Sequence, residues 1–497
     1  MSDPELRPAP MAAPDSSPSP RPIVRWEWIA LFLLALAALG LRLRVGQGWT
    51  FAGADSFAYL GAARELAENH RYAFRLPDWY PDHAAPRPLG YCRLPGYPIF
   101  LSLSAFVPYR GWPAFNDYAS LFARIKPLQA LLDVGTCLLV FALARRFVGR
   151  RAAWIALGLS SVFPPLVLFA NAILAETLAT FFSTAVVALL AWELHPSARP
   201  PRARGHIPWL AAGAALAASA LVRIDGLFLF PALLLPIVRF GRQSARVLPW
   251  VLLVFVLCYS PWPLRNQMRF GDPHPLGGQC DVRGDAMPRT SFFAWFATWV
   301  TREAQTPMTL YCLLRRECVA TVSTYPAEAF DSPDEQAELQ RLFALRQQEG
   351  LSPRVDAGFR ALALRRLRAH PVRTLVWLPL QRAAYLWATT LDQPLRATRN
   401  LPWPLRPAWA VPILGIVQAV VLLLGLFGLG RGLRNPSLRP LAALAGLCLL
   451  CRTAALSLIG FVENRYVIEL FPVVLMLAGM AFVPTGAMRS ALGAKPK

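Results

Sequence analysis

Long apolar runs separated by short polar stretches fill the chain from about residue 26 to residue 484. A run of about 20 apolar residues is long enough to cross a bilayer as a helix. The pattern therefore predicts an all-α polytopic membrane protein with about ten transmembrane helices. The predicted spans are 26–43, 125–145, 152–170, 174–193, 207–222, 226–240, 247–264, 408–430, 439–460 and 465–484.

Two further apolar stretches fit a spanning helix less well. Residues 94–107 are interrupted by proline and are too short to span. Residues 371–391 mix arginine and glutamine with tryptophan and tyrosine, a composition that favours a helix lying at the membrane interface. We therefore predict that neither stretch crosses the bilayer.

Composition supports a membrane protein and changes how the charge is interpreted. Of 497 residues, 55% are hydrophobic and 16% are charged, whereas soluble domains carry about 25% charged residues. The formal net charge of +22 does not require a nucleic-acid partner, because the arginines cluster in short loops between apolar segments. We predict membrane lipid as a partner and no nucleic acid.

Loop charge also predicts the topology. Five basic segments can all face the cytoplasm, with the N-terminus on the same side, if 94–107 and 371–391 do not span. Arg42 and Arg44, at the outer end of the first helix, fit this arrangement poorly. The basic segments are 145–151, 199–204, 239–246, 431–439 and 489–497.

This topology predicts a multi-pass protein of the plasma (inner) membrane with two large extracytoplasmic segments. The alternative for the N-terminus is a cleaved signal peptide, which the long polar tail disfavours. The predicted regions are a disordered cytoplasmic tail at 1–22, an N-terminal transmembrane module at 23–264 with its first extracytoplasmic loop at 45–124, an extracytoplasmic loop region with the interfacial helix at 265–407, and C-terminal transmembrane helices with a short tail at 408–497.

Polar and charged side chains gather at the predicted outer ends of the helices. Charges in or at the edge of a membrane are costly and are candidates for function. Helix ends also hold ordinary polar residues, so the shared placement carries more weight than any single residue. The candidates are Asp55, Tyr59, Arg93, Tyr97, Asn171, Glu176, Arg223, Asp225, Arg265, Asn266, Glu463, Arg465 and Tyr466.

Short motifs in a fixed order carry a family resemblance. The order begins with Asp55-x-x-x-Tyr59 and continues with Arg93-x-Pro-Gly-Tyr-Pro98, the basic turn at 144–152, Leu174-Ala-Glu176-Thr, Arg223-x-Asp225-Gly, Arg265-Asn266, and Arg465-Tyr466 with Pro472. Over residues 26–485 this order resembles the GT-C fold glycosyltransferases. It is most similar to the protein O-mannosyltransferase-like branch and the related bacterial enzymes that modify lipopolysaccharide sugars.

The resemblance implies an extracytoplasmic active site with Asp55 as the catalytic base. It implies a polyprenyl-phosphate-linked sugar as donor and a hydroxyl of a glycan, lipid or protein as acceptor. Such a reaction needs a base for the acceptor hydroxyl. It also needs cations for the leaving phosphate, a role for which Arg223, Arg265 and Arg465 are candidates. All the candidate residues other than Asp55 and Asn171 are assigned to substrate binding.

Metal and thiol chemistry is less well supported. Some family members carry an Asp-Glu pair where this chain has Asp55-Ser56, so no cofactor is certain and a divalent cation stays open. The six histidines show no metal-ligand spacing. Cysteines in predicted membrane helices are assigned to packing, and those in predicted outside segments can pair in three ways. The outside cysteines are Cys92, Cys280, Cys312 and Cys318.

Two other classes of function remain open. A secondary transporter would show repeated halves and charges near the bilayer midplane. Here the halves do not match, and the charges lie at the outer edge. A non-catalytic membrane protein that assembles envelope machinery would not need Asp55 within its motif.

Overall fold

The protein was analysed as a computed structural model. It describes residues 24–73, 93–106, 117–194, 207–241, 246–277, 291–302, 305, 322–350, 352–388, 407–460 and 462–482. Predictions for the tail at 1–22 and for the four outside cysteines lie outside these residues. The helices of the first half are α1 (Arg25–Gly48), α2 (Ala54–Asn69), α3 (Gly96–Leu101), α4 (Tyr118–Phe147), α5 (Arg150–Val162), α6 (Pro164–Phe169), α7 (Glu176–Leu194), α8 (Ile207–Val222), α9 (Leu234–Phe240), α10 (Leu248–Tyr259) and α11 (Pro261–Phe270).

The second half is also helical throughout the described residues. Short 3₁₀ segments precede two of the helices, at Ile224–Leu233 before α9 and at Asn464–Leu470 before the last helix. The helices of the second half are α12 (Phe292–Phe296), α13 (Pro333–Glu349), α14 (Pro353–Ala369), α15 (Leu378–Ala388), α16 (Pro407–Arg434), α17 (Arg439–Leu458) and α18 (Phe471–Ala481).

The all-α polytopic fold is confirmed, but the count of about ten spans is not. Within the described residues, six helical segments are long and apolar enough to cross a membrane, and α10 with α11 makes a seventh if that bent pair is one span. Two shorter apolar segments lie at Ile207–Val222 and Ile224–Pro236. The six are Arg25–Gly48, Tyr118–Phe147, Glu176–Leu194, Pro412–Arg434, Arg439–Leu458 and Asn464–Ala481.

Proline accounts for two departures from the predicted spans. The predicted span at 152–170 is broken at Phe163, because Pro164 begins the separate helix α6. The predicted span at 226–240 begins instead as a 3₁₀ helix that contains Pro231. A proline inside a helix removes one backbone donor and crowds the preceding turn, so a continuous α-helix is disfavoured at both places.

The core of the membrane region surrounds α18. This helix is buried along almost its whole length and packs against α4, α5 and α16. Glycine makes the approach of α16 possible: a Cβ atom at Gly428 would lie 1.9 Å from the carbonyl oxygen of Leu477, and one at Gly425 would lie 2.7 Å from a methyl of Val474. Small residues at helix crossings are typical of membrane helix packing.

Arg42, whose charge fits the predicted topology poorly, has a structural role. Arg42 is fully buried between α1, α4 and α5, where its Nε donates to Asp133 at 2.5 Å. Its Nη1 also donates to the carbonyl of Ser161 at 2.9 Å. Arg42 is therefore a helix-to-helix contact and carries no information about which loop faces the cytoplasm. Arg44 is exposed on α1.

A separate aromatic core lies within the predicted second outside segment. Trp295 from α12, Phe343 from α13 and Phe359 from α14 are all buried together. The chain then enters α15 through a π-helical turn at Arg373–Trp377. On α15, Arg382 donates to the carbonyl of Val300 at 2.7 Å and to that of Ser457 at 3.0 Å, so it joins this core to α17.

Candidate active site

Asp55 lies in the first turn of α2. Gly53 caps the N-terminus of α2, and its N–H donates to the Ser56 hydroxyl at 3.0 Å. Phe51, two residues before Gly53, is bound to the connection between α6 and α7, because the N–H of Ile173 donates to the carbonyl of Phe51 at 2.9 Å. A carboxylate in the first helical turn is also favoured by the helix dipole.

Two arginines hold the two carboxylate oxygens of Asp55. Arg93 donates to Oδ1, and Arg465 donates to Oδ2 at 2.7 Å. Arg465 lies 410 positions away from Asp55 in sequence, just before α18. Asp55 and Arg93 keep 27% and 38% of their side-chain surface exposed, while Arg465 keeps 12%. The carboxylate is therefore paired but still reachable.

The surroundings of Asp55 shift its ionisation. Burial by itself raises the pKa of the Asp55 carboxyl, but the charges of Arg93 and Arg465 outweigh burial, so the pKa lies well below its ordinary value. Asp55 is consequently ionised across the physiological pH range. Paired in this way it is also a weak base, and the arginines must be drawn elsewhere before it can accept a proton readily.

A second set of ion pairs continues inward from Arg465. Glu176, at the start of α7, forms ion pairs with Arg465 at 3.5 Å and with Arg223 at 3.2 Å. Arg223 also contacts Asp225 at 3.2 Å. Glu463 accepts from Arg465 Nε. These predicted site residues thus form one continuous network with Asp55.

Sequence reasoning missed two members of this network. Arg452, in the middle of α17, contacts Asp225 and Glu469 at 2.7 Å each and is fully buried. Glu469 also contacts Arg223 at 2.9 Å and accepts from the Ser183 hydroxyl at 3.2 Å. Both charges interrupt apolar helical runs, which is the signal that could have identified them.

Aromatic residues cover the arginines. The guanidinium carbon of Arg223 lies 4.7 Å from the ring centre of Tyr466, and that of Arg93 lies 5.5 Å from the ring centre of Tyr59. Tyr59 packs edge-on against Tyr97 at 5.0 Å. The Tyr97 hydroxyl donates to Gln129 at 2.7 Å, so this buried ring supports the site from beneath.

Arg265 and Asn266 lie in an adjoining aromatic cluster with Tyr72, Trp262 and Phe270. Arg265 donates to the carbonyl of Tyr72 at 2.6 Å and to Asn266 at 2.7 Å. The Tyr72 hydroxyl in turn donates to the carbonyl of Arg93 at 3.1 Å. The geometry connects Arg265 to the backbone that carries Arg93, and its binding of a donor phosphate stays a prediction.

The network contains one more carboxylate than guanidinium group. Among the described residues it joins five carboxylates, those of Asp55, Glu176, Asp225, Glu463 and Glu469, with four guanidinium groups, those of Arg93, Arg223, Arg452 and Arg465. The carboxylates do not suit a metal ion, since each one is bound by arginine. No three potential ligands from His, Cys, Asp or Glu group together in the part of the chain that is described. The divalent cation stays a prediction.

The chain is similar to known proteins in structure and not in sequence. No protein-family model matches the chain, and no curated protein matches it by sequence. The Archaeoglobus fulgidus oligosaccharyltransferase tethered with an acceptor peptide shares 15% identity, with 92% of this chain and 49% of that chain covered and a TM-score of 0.50.

Two other solved structures are similar at lower scores. Archaeal oligosaccharyltransferase AglB from Archaeoglobus fulgidus, in complex with an inhibitory peptide and a dolichol-phosphate, shares 17% identity over 95% of this chain and 52% of that chain, with a TM-score of 0.48. ArnT from Cupriavidus metallidurans, bound to undecaprenyl phosphate, shares 17% identity over 88% of this chain and 77% of that chain, with a TM-score of 0.39.

The chain spans about half the length of these oligosaccharyltransferases. At such low identity the similarity concerns the fold alone, and it leaves the narrower branch suggested by the motifs as a prediction. On that basis the chain is a polytopic helical membrane protein with the GT-C fold of membrane glycosyltransferases.

Proposed function

We propose that the protein is a membrane glycosyltransferase that moves a sugar from a polyprenyl-phosphate donor to an acceptor hydroxyl. The observation that carries the proposal is the carboxylate of Asp55 held between Arg93 and Arg465, partly exposed at the end of a membrane helix bundle. The GT-C fold agrees with this chemistry but does not prove it, because one fold can serve several functions.

The residues of the site match the two demands of the reaction. The acceptor oxygen forms a bond to the anomeric carbon, the bond from that carbon to the phosphate oxygen breaks, and the acceptor proton leaves. Asp55 is placed to accept the proton. Arg93 and Arg465 are placed to hold the phosphate as its negative charge grows, since guanidinium groups match phosphate geometry.

The inner part of the network has a different role in this mechanism. Arg223 and Arg452 are each bound by several buried carboxylates. Removing one member of such a buried set leaves another charge uncompensated, which is costly. We assign these residues to holding α7, α17 and the segment before α18 in register beneath Asp55.

We place the site on the extracytoplasmic face of the plasma (inner) membrane. The support is the basic segments that can all lie in the cytoplasm. Reporter fusions at Gly149 and Gly241 are expected to report cytoplasm, and a fusion at Asp334 is expected to report the outside. A cytoplasmic Asp334 would contradict the topology and the placement of the site.

The activity can be tested with the purified full-length chain. Incubated with polyprenyl-phosphate-linked sugars and an envelope extract, it is expected to release polyprenyl monophosphate and to transfer the sugar. Mass spectrometry of envelope glycolipids and glycoproteins from a deletion strain would identify the acceptor as a glycan, a lipid or a protein. Wild-type patterns in that strain, together with no release of monophosphate in vitro, would contradict the proposal.

A secondary transporter and a non-catalytic assembly protein remain the alternatives. A transporter would accumulate solute in proteoliposomes without consuming a lipid-linked sugar. An assembly protein would tolerate loss of Asp55 as long as it remained folded. Neither alternative explains why Arg93 and Arg465 meet on a partly exposed carboxylate whose ion pairs continue into the buried charge of Glu176 on α7.

A further inference from the structure

Two arginines hold the carboxylate of Asp55 in the way that arginines usually hold a phosphate group. Two guanidinium groups from different segments donate to different oxygens of one anion, Arg93 to Oδ1 and Arg465 to Oδ2 at 2.7 Å. Arginine pairs bind carboxylate and phosphate through the same fork of N–H donors. The carboxylate therefore occupies donors that a phosphate could use.

Arg93 is the arginine of the network that an incoming anion can reach most easily, whereas Arg465 and Arg223 keep 12% and 15% of their side-chain surfaces exposed. Arg93 keeps 38% of its side-chain surface exposed, and Asp55 is its carboxylate partner among the described residues. Arg452 is fully buried, and the carboxylates around Arg223 are at most 5% exposed. A phosphate approaching from the open side meets Arg93 and Asp55 before it meets the inner pairs.

We infer that Asp55 and the phosphate of the donor share Arg93 and Arg465, so that protonation of Asp55 passes both arginines to the leaving phosphate. This inference rests on the proposed glycosyl transfer and deepens it. It assigns one subsite two successive anionic occupants, the carboxylate before transfer and the phosphate monoester after it.

The charge balance of the reaction fits this exchange. Before transfer the two arginines face a carboxylate of charge −1 and a phosphodiester of charge −1. As the new glycosidic bond forms, the acceptor proton goes to Asp55, which becomes neutral. The departing phosphate keeps the electron pair of the broken bond and becomes a monoester with a charge close to −2 at neutral pH. The total negative charge facing the arginines is unchanged, so they can follow it from one partner to the other.

The exchange also resolves a conflict within the site. Arginines that lower the pKa of Asp55 make it a poor proton acceptor. If the growing phosphate charge draws the arginines away, the carboxylate becomes a better base at the moment when the proton must leave. Asp55 is then activated by the donor and needs no separate charged group for that purpose.

The test uses the product phosphate as the probe. The purified full-length chain is titrated with a short-chain polyprenyl monophosphate, with the methyl diester of that phosphate, and with the corresponding polyprenol. Asp55→Asn imitates the neutral, protonated carboxyl. We expect this variant to bind the monophosphate about tenfold more tightly than wild type, the scale of one charge-assisted hydrogen bond. The gain should be smaller for the diester and absent for the polyprenol.

Asp331→Asn is the matched control. Asp331 also accepts two arginine hydrogen bonds, from Arg373 at 2.8 and 2.6 Å, but it lies just before α13, beside the aromatic core of α12, α13 and α14. Its replacement removes the same charge and should leave monophosphate binding unchanged. A similar gain in this variant would mean that the effect is a general loss of negative charge, and the inference would be overturned.

A double-mutant cycle with Arg93→Gln guards against a folding artefact in Asp55→Asn. If the arginines are shared, Arg93→Gln weakens monophosphate binding more in the Asp55→Asn background than in wild type. Equal losses in both backgrounds, or unchanged or weaker binding by a stably folded Asp55→Asn variant, would overturn the sharing of arginines. Transfer that depends on Asp55 without tighter binding would still leave the proposed function standing. Tighter binding without any transfer would remove the function while leaving the shared anion subsite.

Discussion

Two networks of arginine and carboxylate pairs in this molecule have similar composition and different construction. Beside the aromatic core of α12, α13 and α14, Arg366 contacts Glu335 at 2.6 Å and also donates to the Thr298 hydroxyl and the Ala329 carbonyl. Around Asp55, by contrast, Arg93 and Arg465 meet on one carboxylate, and Arg465 lies 410 positions from Asp55 in the sequence. The first network joins segments of one local helical unit, whereas the second joins the first and last parts of the chain at one partly exposed carboxylate.

The difference separates a structural ion pair from a candidate site. The Ala329 carbonyl that accepts from Arg366 belongs to the backbone, so it cannot change its charge. The Arg366 side chain is only 2% exposed, so an external ligand has no access to it. A side-chain carboxylate such as Asp55 can change its charge or give up its partner. Partial exposure alone does not separate the two networks, because Asp331, which contacts Arg366 at 3.3 Å and Arg373 at 2.6 Å, is also 23% exposed. Asp55 differs because its ion pairs continue into the buried charges of α7 and α17, and this continuity favours function more than the number of ion pairs does.

The largest expected effect comes from breaking the buried part of the Asp55 network. Arg452→Ala removes the fully buried one of the two arginines that Asp225 and Glu469 share, and leaves Arg223 alone to compensate both carboxylates. Such a loss typically costs about 3–5 kcal/mol, so we expect little folded protein in the membrane. Protein level and thermal unfolding in detergent measure this directly. A wild-type melting temperature would mean that the inner network does not stabilise the bundle.

Arg465→Lys and Arg223→Lys distinguish the arginine that contacts Asp55 from an arginine that is bound by the inner carboxylates. Lysine keeps the charge but loses the two-pronged donor geometry. At Arg465 we expect turnover to fall by about tenfold or more with little change in melting, since one oriented hydrogen bond to the phosphate is lost. At Arg223 we expect melting and activity to fall together. The reverse pattern would move the phosphate subsite to Arg223.

Arg93→Gln should change the pH dependence of the reaction. Arg93 helps to hold the pKa of Asp55 below its ordinary value, so its loss raises that pKa. The acidic limb of the pH–rate profile should then move to higher pH by about one unit. In wild type the stabilising contribution of ionised Asp55 is complete above the ordinary carboxyl pKa of about 4 and is lost only as pH falls through the lower folded value. An unshifted acidic limb in the variant would mean that Asp55 is not the titrating base.

Tyr72→Phe should have the smallest effect. It removes the hydroxyl that donates to the carbonyls of Arg93 and Leu94 but keeps the ring against Arg265 and Trp262. The loss of one hydrogen bond of about 1 kcal/mol should loosen the segment that carries Arg93 and reduce turnover several-fold. Because Tyr72 acts through Arg93, the reduction should disappear in an Arg93→Gln background. A full effect in that background would give Tyr72 an independent role.

The sequence predicted the fold class and most of the charged site, for identifiable reasons. Apolar periodicity identified the helices, and the motif order placed Asp55, Glu176, Arg223 and Arg465 at helix ends that do meet. It could not reveal that Pro164 breaks one predicted span, because proline is tolerated in many membrane helices.

The sequence also could not show which charged residues form ion pairs across long sequence separations. Arg452 and Glu469 each occur alone within an apolar run, and only the packing of α17 beside the segment before α18 joins them. Arg42 gave a misleading topological signal, because its partner Asp133 is 91 residues away. Arg265 looked equivalent to the other outer arginines until the fold placed it among aromatic rings.

The most direct test of the central claim compares the transfer rates of Asp55→Asn and Asp331→Asn in one purified preparation. Each change removes a carboxylate that accepts hydrogen bonds from arginine, and each keeps the size of the side chain. With a polyprenyl-phosphate-linked sugar as donor, we expect Asp55→Asn to lose about 100-fold or more of the wild-type rate, the usual scale for a general base. We expect Asp331→Asn to stay close to wild type, and both variants to melt near the wild-type temperature. Near-normal transfer by Asp55→Asn would contradict the account.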